Sequence, residues 1–329
     1  MLRLPRFRYL VPVDLDEAAA LKAQYGPRAA YLAGGTDLVP KMKNGQHEPE
    51  VLIALGRLRE LGGIRGGKDG ELRIGASTTL ATLAADPLVR ERFPAVARAA
   101  EGVATPVVRN MATLGGNLCL ETRCSFFDQS REWREAIRFC LKKDGDACRV
   151  AQSSERCWAI QSSDTSPLVI ALGARIELHG PAGSRSVDAA SFYNDDGIQY
   201  LRKQPDELVT GISLPSIEGG QAGYVKVSRR SSVDFPVLSV AAWVRRETPQ
   251  APVLEARVVL GAVGSAPVIV EEAARILEGR PLSRESIEGA AEAAGRRARP
   301  LDNADVNGLW RKRVVRPYVA RALEQLEPS

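Results

Sequence analysis

The chain has 329 residues, enough for two domains, and its 44% hydrophobic and 26% charged content is ordinary for a soluble protein. The net charge of +5 is modest and spread along the chain, without aromatic residues interleaved in a basic run, so we expect no nucleic-acid partner. The N-terminal segment lacks the apolar core of a secretory signal, and glycines and a proline interrupt the longest apolar run, 258–270. We therefore expect a cytoplasmic protein without a membrane segment, in which cysteines bind metals more often than they form disulfides.

The first two thirds of the chain predict alternating helices and strands. The segment 14–17 is a capping box that should start a helix, which Gly26 should end. The apolar run 29–33 predicts a strand that enters a glycine turn at 34–37 and then a short helix with Pro40. Further predicted strands are 51–55, 72–76, 174–178 and 207–214. Predicted helical segments are 78–103, with breaks near Pro87 and Pro94, and 167–172.

The pattern changes after a predicted linker at 217–222. Strands are predicted at 223–228, 236–245 and 253–263, and helices at 270–277, 284–297 and 308–326. Strands followed by helices indicate an α+β domain. We expect domains at 1–216 and 222–326.

All five cysteines lie between Cys119 and Cys157. Four of them occupy a charged segment, which is unusual for free structural cysteines; these are Cys124, Cys140, Cys148 and Cys157. Thiolates suit zinc or an iron–sulfur cluster, and the long spacings differ from the short ligand pairs of zinc fingers. Scattered free thiols and disulfides are the alternatives. The chain has only His47 and His179, which leaves little room for a multi-histidine metal site or a Ser-His-Asp triad.

Two glycine turns could approach a phosphate closely. Ala33-Gly-Gly-Thr-Asp37 follows a predicted strand, and Thr113-Leu-Gly-Gly-Asn117 forms a second turn. Neither matches the dinucleotide fingerprint G-x-G-x-x-G. A Gly-Gly pair is more often only a turn, so each motif is weak by itself.

Together with two later motifs, these turns resemble the FAD-binding medium subunits of the molybdenum hydroxylase (xanthine dehydrogenase) family. The later motifs are Gln161-Ser-Ser-Asp-Thr-Ser-Pro167 and Tyr224-Val-Lys226 followed by Asp234-Phe-Pro236. The resemblance covers nearly the whole chain. It implies an α+β fold, with a two-lobed FAD-binding domain of the vanillyl-alcohol oxidase (PCMH) type and a C-terminal domain of the CO dehydrogenase flavoprotein type.

The resemblance also implies which residues bind FAD. One side of the pyrophosphate would be held by Leu32, Ala33, Gly34, Gly35, Thr36, Asp37 and Leu38, and the other by Thr113, Gly115, Gly116 and Asn117. Asp164 would contact the ribityl or flavin part. Lys226 is a flavin neighbour or an ordinary strand lysine.

An insert of about 40 residues separates the second turn from the segment 161–167. Such an insert is similar to that of 4-hydroxybenzoyl-CoA reductase β subunits, where it carries a [4Fe-4S] cluster. The resemblance implies Cys124, Cys140, Cys148 and Cys157 as ligands and leaves Cys119 out.

The implied function is electron transfer by FAD and the cluster within a molybdenum-dependent 4-hydroxybenzoyl-CoA reductase that receives electrons from ferredoxin. The implied partners are a molybdopterin-binding large subunit and a [2Fe-2S] small subunit, in a dimer of heterotrimers. A medium subunit of an oxidising molybdenum hydroxylase and a scaffold with structural zinc are the alternatives. Basic residues of the insert, such as Lys142, Lys143 and Arg149, would attract an acidic ferredoxin, unless they only form a solvated face.

Overall fold

The computed structural model describes residues 3–67, 70–230 and 232–327. The strands in chain order are β1 Arg8–Leu10, β2 Ala29–Leu32, β3 Val51–Ala54, β4 Ile64–Gly66, β5 Leu72–Gly75, β6 Arg175–Gly180, β7 Gly183–Asp188, β8 Leu208–Leu214, β9 Gly220–Val227, β10 Leu238–Arg245, β11 Glu255–Gly261 and β12 Val268–Ile269. The helices are α1 Leu15–Tyr25, α2 Leu38–Lys43, α3 Leu80–Ala85, α4 Pro87–Arg92, α5 Pro94–Glu101, α6 Pro106–Arg109, α7 Leu114–Leu118, α8 Arg131–Ala136, α9 Ser166–Ala171, α10 Ala189–Phe192, α11 Glu271–Leu277, α12 Arg284–Arg297 and α13 Gly308–Glu324.

The first lobe is a parallel sheet in the order β1-β3-β2, covered by α1. The Asp14 side chain caps α1 by accepting a hydrogen bond from the Glu17 backbone N–H, as the capping box predicts. The four residues of β3 are all buried. Strand β2 ends at Leu32, and the first glycine turn follows it directly. Helix α2 begins just after that turn.

The second lobe is an antiparallel sheet in the order β4-β5-β8-β6-β7. Helices α3, α4, α5 and α9 pack into the same core as β5, β6 and β8. The predicted helical segment 78–103 is divided into α3, α4 and α5 at Pro87 and Pro94, because proline is tolerated in the first turn of a helix but not in its interior. The chain between α6 and α7 leads into the second glycine turn.

The C-terminal domain is an antiparallel sheet in the order β12-β11-β10-β9, with helices α11, α12 and α13 against it. The strands and helices predicted beyond the linker are present here. The other face of this sheet contacts α9, so that Tyr224, Ala241 and Val259 share a core with the second lobe. Two lobes and a C-terminal α+β domain confirm the expected fold class.

The insert between α7 and α9 is mostly irregular and contains only the short helix α8. It has a small core of its own, formed by Cys124, Phe127, Cys140, Cys157 and Ala159. The buried guanidinium of Arg134 donates to the carbonyl oxygens of Asn44 and Gly45 and attaches the insert to the first lobe. Over the residues described, no helix is both long and apolar enough to cross a membrane.

Candidate functional site

The first glycine turn packs against the chain just before the second one. A Cβ atom added to Gly34 would lie 1.8 Å from the carbonyl oxygen of Met111, so only glycine permits this approach. Gly35 adopts a φ of +71°, in the left-handed region. The structure therefore brings together the two motifs that lie far apart in the sequence.

The second turn is fixed by hydrogen bonds to the end of β5. The Gly115 N–H donates to the Ala76 carbonyl oxygen at 2.8 Å, and the Leu114 N–H donates to that of Thr78 at 2.9 Å. The Thr113 hydroxyl accepts from the Gly116 N–H at 3.1 Å and caps α7. These bonds hold the turn at the edge of the second lobe, facing the first.

A cavity of about 300 Å³ opens between the two lobes, and both turns line it. Four predicted cofactor-binding residues contribute to its wall: Ala33, Thr113, Gly115 and Gly116. Other lining residues were not predicted, among them Tyr31, Cys119, Tyr200 and Lys203. Burial raises the pKa of the Cys119 thiol to about 11, so this cysteine is an uncharged part of the wall. We name this space the lobe cavity.

Asn117 ends the second motif and connects it to the segment 161–167. Its buried side-chain oxygen accepts hydrogen bonds from Ser163 Oγ at 2.8 Å and from the Thr165 backbone N–H at 3.2 Å. The turn and this segment are therefore fixed relative to each other, because one amide group contacts both.

Asp164 and Lys226 form a buried ion pair. Asp164 is 2% exposed, and its Oδ1 lies 2.9 Å from Lys226 Nζ and 3.2 Å from the Tyr224 hydroxyl. Burial raises the pKa of Asp164 to about 6, although the Lys226 ammonium and the hydrogen bonds from Lys226 and Tyr224 lower it. Lys226 also donates to the Gly102 carbonyl oxygen at 2.8 Å. Neither member of the pair lines the lobe cavity.

A second, smaller cavity lies inside the insert. All four predicted ligand cysteines line it, namely Cys124, Cys140, Cys148 and Cys157, together with Phe127 and Lys142. The four cysteines are buried, while Cys119 lines the lobe cavity instead. We name this space the cysteine cavity.

The thiols of the cysteine cavity are desolvated. Burial raises the pKa of Cys124 to about 12 and also raises that of Cys157. A bound cation would have to displace these protons, as metal binding to thiols does. Within the described ranges, no group of three or more His, Cys, Asp or Glu side chains is arranged to hold a single metal ion.

The prediction that Lys142 forms part of an exposed docking face is wrong. Its side chain is 4% exposed, and its ammonium pairs with Glu121 Oε1 at 3.3 Å. Arg149 is half-buried and donates to the Phe139 and Arg138 carbonyl oxygens. Only Lys143, 41% exposed, projects toward solvent as expected. The lysine is buried because Glu121 and backbone oxygens replace its water.

Comparison with known proteins decides the family. Residues 5–217 match the FAD binding domain in molybdopterin dehydrogenase, and residues 223–326 match the CO dehydrogenase flavoprotein C-terminal domain. The chain belongs to the FAD-binding medium subunits of the molybdenum hydroxylases. It is therefore a subunit of an FAD-dependent oxidoreductase.

Relatives of this medium subunit are themselves parts of larger enzymes. The aldehyde oxidoreductase FAD-binding subunit of Escherichia coli (strain K12) is 35% identical over 79% of this chain and 83% of its own. The carbon monoxide dehydrogenase medium chain of Hydrogenophaga pseudoflava is 28% identical over 97% and 96%. A solved structure of the carbon monoxide dehydrogenase of that organism has a TM-score of 0.80 and covers 98% of this chain and 97% of the other.

The lobe cavity of this medium subunit suits the FAD of the family. The Thr113 hydroxyl gives this cavity a polar group that a phosphate oxygen could approach, and Gly115 and Gly116 have no side chain to keep it away. Apolar side chains also line the cavity, including Leu55, Leu61 and Leu208, and these suit a planar ring system. The residues present therefore fit the cofactor.

Proposed function

We propose that this medium subunit carries FAD in the lobe cavity and a [4Fe-4S] cluster in the cysteine cavity, and relays electrons within a molybdenum-dependent complex. The observation that carries the proposal is that four buried cysteines line one cavity while the fifth lies elsewhere. Molybdopterin and the substrate would reside on a large subunit, and [2Fe-2S] clusters on a small one. The assembly would be a dimer of heterotrimers.

For FAD, we propose that the pyrophosphate lies between the turns at 32–38 and 113–117. Support comes from the contact of Gly34 with Met111 and from the lining of the lobe cavity by both turns. Asp164 and Lys226 are proposed to face the flavin end of the cofactor. Their ion pair lies just beyond Asn117, which fixes the segment that contains Asp164.

For the cluster, four thiolates are the usual ligand set of a cubane, and they surround it instead of converging on one point. The proposed ligand set is supported by the lining of the cysteine cavity, to which each of four separate stretches of the insert contributes one cysteine. A structural zinc is disfavoured, because the long spacings between the four cysteines differ from the short ligand pairs of zinc fingers. Buried thiols without a cation would also remain protonated.

Bound FAD exchanges two electrons and a cluster exchanges one, so a subunit with both converts between two-electron and one-electron chemistry. The protein's own contribution is position and environment. Tyr200 lines the lobe cavity, and the Lys142 side chain lines the cysteine cavity. The Lys142 ammonium lies 5.5 Å from the centre of the Tyr200 ring. The two proposed sites are thus separated by little more than these two side chains.

Two reaction classes fit this relay. The similarity to the aldehyde oxidoreductase subunit favours an oxidising hydroxylase, in which electrons leave the molybdenum centre through this subunit. The cysteine-bearing insert favours a 4-hydroxybenzoyl-CoA reductase, in which ferredoxin electrons enter here and run toward molybdenum. We place the oxidising hydroxylase first, because its support is an alignment over most of the chain.

The cluster is tested on the complex purified without oxygen. We expect about four iron and four sulfide per subunit beyond the small-subunit clusters. Serine at Cys124, Cys140, Cys148 or Cys157 should each lower that iron content, whereas Cys119→Ser is the matched control and should keep it. Iron retained in all four serine variants would rule out the cluster.

The reaction class is tested on the same complex. An oxidising hydroxylase should reduce an electron-acceptor dye in the presence of aromatic or aliphatic aldehydes. A reductase should instead oxidise reduced ferredoxin in the presence of 4-hydroxybenzoyl-CoA. Turnover of the thioester without turnover of aldehydes would reverse the order in which we place the two classes.

A further inference from the structure

Lys142 occupies an unusual place for a lysine in a loop. Its ammonium donates to Thr122 Oγ1 at 2.7 Å and to the Gly197 carbonyl oxygen at 2.5 Å, and it pairs with Glu121. Every donor therefore has a partner inside the protein. A buried ammonium is costly unless it is paired in this way, so the arrangement fixes a positive charge at one position.

This charge lies between the two cavities. The Lys142 ammonium is 5.0 Å from the centre of the Phe127 ring and 5.5 Å from that of the Tyr200 ring. Phe127 lines the cysteine cavity and Tyr200 lines the lobe cavity. Burial raises the pKa of Tyr200 well above its usual value, and the carboxylate of Glu121 adds to this, so the phenol adds no compensating negative charge.

The Glu121 carboxylate, which pairs with Lys142, has two further partners at its other oxygen. Glu121 Oε2 lies 2.7 Å from Lys41 Nζ and 2.8 Å from His47 Nε2. Burial alone would raise the pKa of Glu121, but the hydrogen bond from His47 and the charges of Lys142 and Lys41 outweigh it and lower that pKa strongly. Lys41 in turn pairs with Asp37 of the first glycine turn at 2.9 Å. A chain of alternating charges therefore runs from the first glycine turn to Lys142 at the cysteine cavity.

A fixed cation beside a redox group favours the form with the additional electron, since that form is more negative, and low solvent access strengthens the effect. Two charged residues line the cysteine cavity with the four thiols, Lys142 and Arg149. The Lys142 side chain is almost fully buried, whereas Arg149 is half-buried and its guanidinium donates to the Phe139 and Arg138 carbonyl oxygens. Glu121 does not line that cavity. The Lys142 ammonium should therefore affect the reduction of a group in the cysteine cavity more than the Glu121 carboxylate does.

We propose that Lys142, positioned by Glu121, raises the reduction potential of the group bound by the four cysteines. The proposal rests on the cluster of the proposed function. The step concerned is addition of one electron to the cluster, with no atom transferred. In the test, dithionite supplies the electron.

The test is a potentiometric titration of the anaerobically purified complex, followed by electron paramagnetic resonance of the reduced cluster. Lys142→Gln removes the charge but keeps hydrogen-bonding groups. It should lower the equilibrium constant for one-electron reduction at least tenfold, which is about 59 mV. Lys142→Arg keeps the charge and should change this constant less than threefold. Lys143→Gln is the matched control one residue away, exposed beside Asp144, and should also change it less than threefold.

Iron content, measured first, separates the possible failures. A wild-type complex without the additional iron would overturn the proposed function itself. A Lys142→Gln variant that keeps its iron and its potential would overturn only the role of Lys142. If Lys142→Gln loses the iron while Lys142→Arg keeps it, the charge serves assembly of the cluster, and the proposed effect on the potential is wrong.

Discussion

The side-chain oxygen of Asn117 accepts a hydrogen bond from Thr165 Oγ1 at 2.7 Å, which ties the second glycine turn to the segment 161–167. The same oxygen accepts from Ser163 Oγ at 2.8 Å. All of these groups are buried. Removal of the amide would therefore leave several donors without a partner.

Asn117→Ala should destabilise the protein by about 2 to 4 kcal/mol, because each buried donor left unsatisfied costs about 1 to 3 kcal/mol. It should also reduce the flavin retained per protein, since the turn at 113–117 lines the lobe cavity. Urea unfolding and flavin absorbance after gel filtration measure the two effects. The exposed Asn110 offers a control, and Asn110→Ala should change neither quantity. A stable, flavin-replete Asn117→Ala protein would show that the amide is dispensable.

The contact between the first glycine turn and the segment that leads into the second gives a second prediction. Gly34→Ala would place a methyl group 1.8 Å from the Met111 carbonyl oxygen, so the first turn and that segment must move apart. We expect loss of most bound flavin, read from the ratio of absorbance at 450 nm to that at 280 nm. Gly56→Ala is the matched control, because no atom lies within 4 Å of the added Cβ. Equal flavin content in the two variants would contradict the proposed place of the pyrophosphate.

Features set by neighbouring residues could be predicted from the sequence. Helix α1 follows from its Asp14 cap and the glycine at its end, and β2 from a short apolar run. Strand β7 was not predicted, because it is polar and largely exposed and its structure depends on pairing with β6. A strand of this kind cannot be predicted from its own residues, because it forms by pairing with a neighbouring strand and has no apolar pattern.

Features set by distant residues could not be predicted in this way. Tyr200 and Lys203 lie in a loop before β8, and only the fold brings that loop to the turn at 113–117. Lys142 has the sequence context of an exposed lysine. Its burial depends on Glu121 and on the Gly197 carbonyl oxygen, which lie well away along the chain. The four cysteines, by contrast, could be grouped from the sequence, because they lie in one segment of the chain.

Arg311 provides a prediction about stability in the C-terminal domain. It is 0% exposed, and its guanidinium donates to the Val237 carbonyl oxygen at 2.9 Å and to that of Leu301 at 3.1 Å. It also donates to the Ala262 carbonyl oxygen, so that α13 is joined to β10 and to the end of β11. Arg311→Met should cost about 3 kcal/mol or more of unfolding free energy, since these buried oxygens lose their donor. Lys312→Met, exposed on the same helix, should cost less than about 0.5 kcal/mol in the same urea titration. Similar losses in both variants would show that the guanidinium is not what joins these elements.

The unfolding free energy should depend on pH through the titration of Asp164. Its pKa is raised from 3.8 to about 6 in the folded protein, first of all by burial. The folded state therefore binds this proton more tightly than the unfolded state, and the unfolding free energy falls as pH rises between about 4 and 6. Below and above that window both states have the same charge at this position, and the contribution is constant. Each unit of pKa difference corresponds to about 1.4 kcal/mol, so the total change should be about 2 to 3 kcal/mol.

Asp164→Asn should abolish this change, and the measurement is urea unfolding at several pH values for both proteins. Contacts of the Asp164 side chain that do not depend on its charge shift the whole curve of the variant equally, so only the slope is diagnostic. The wild-type minus variant difference in unfolding free energy should fall from pH 4 to pH 6.5 and then level off. Asp305→Asn, exposed on the surface, should give a flat difference over the same range. A wild-type minus Asp164→Asn difference that stays flat or rises with pH would mean that Asp164 is ionised throughout this range, held so by Lys226.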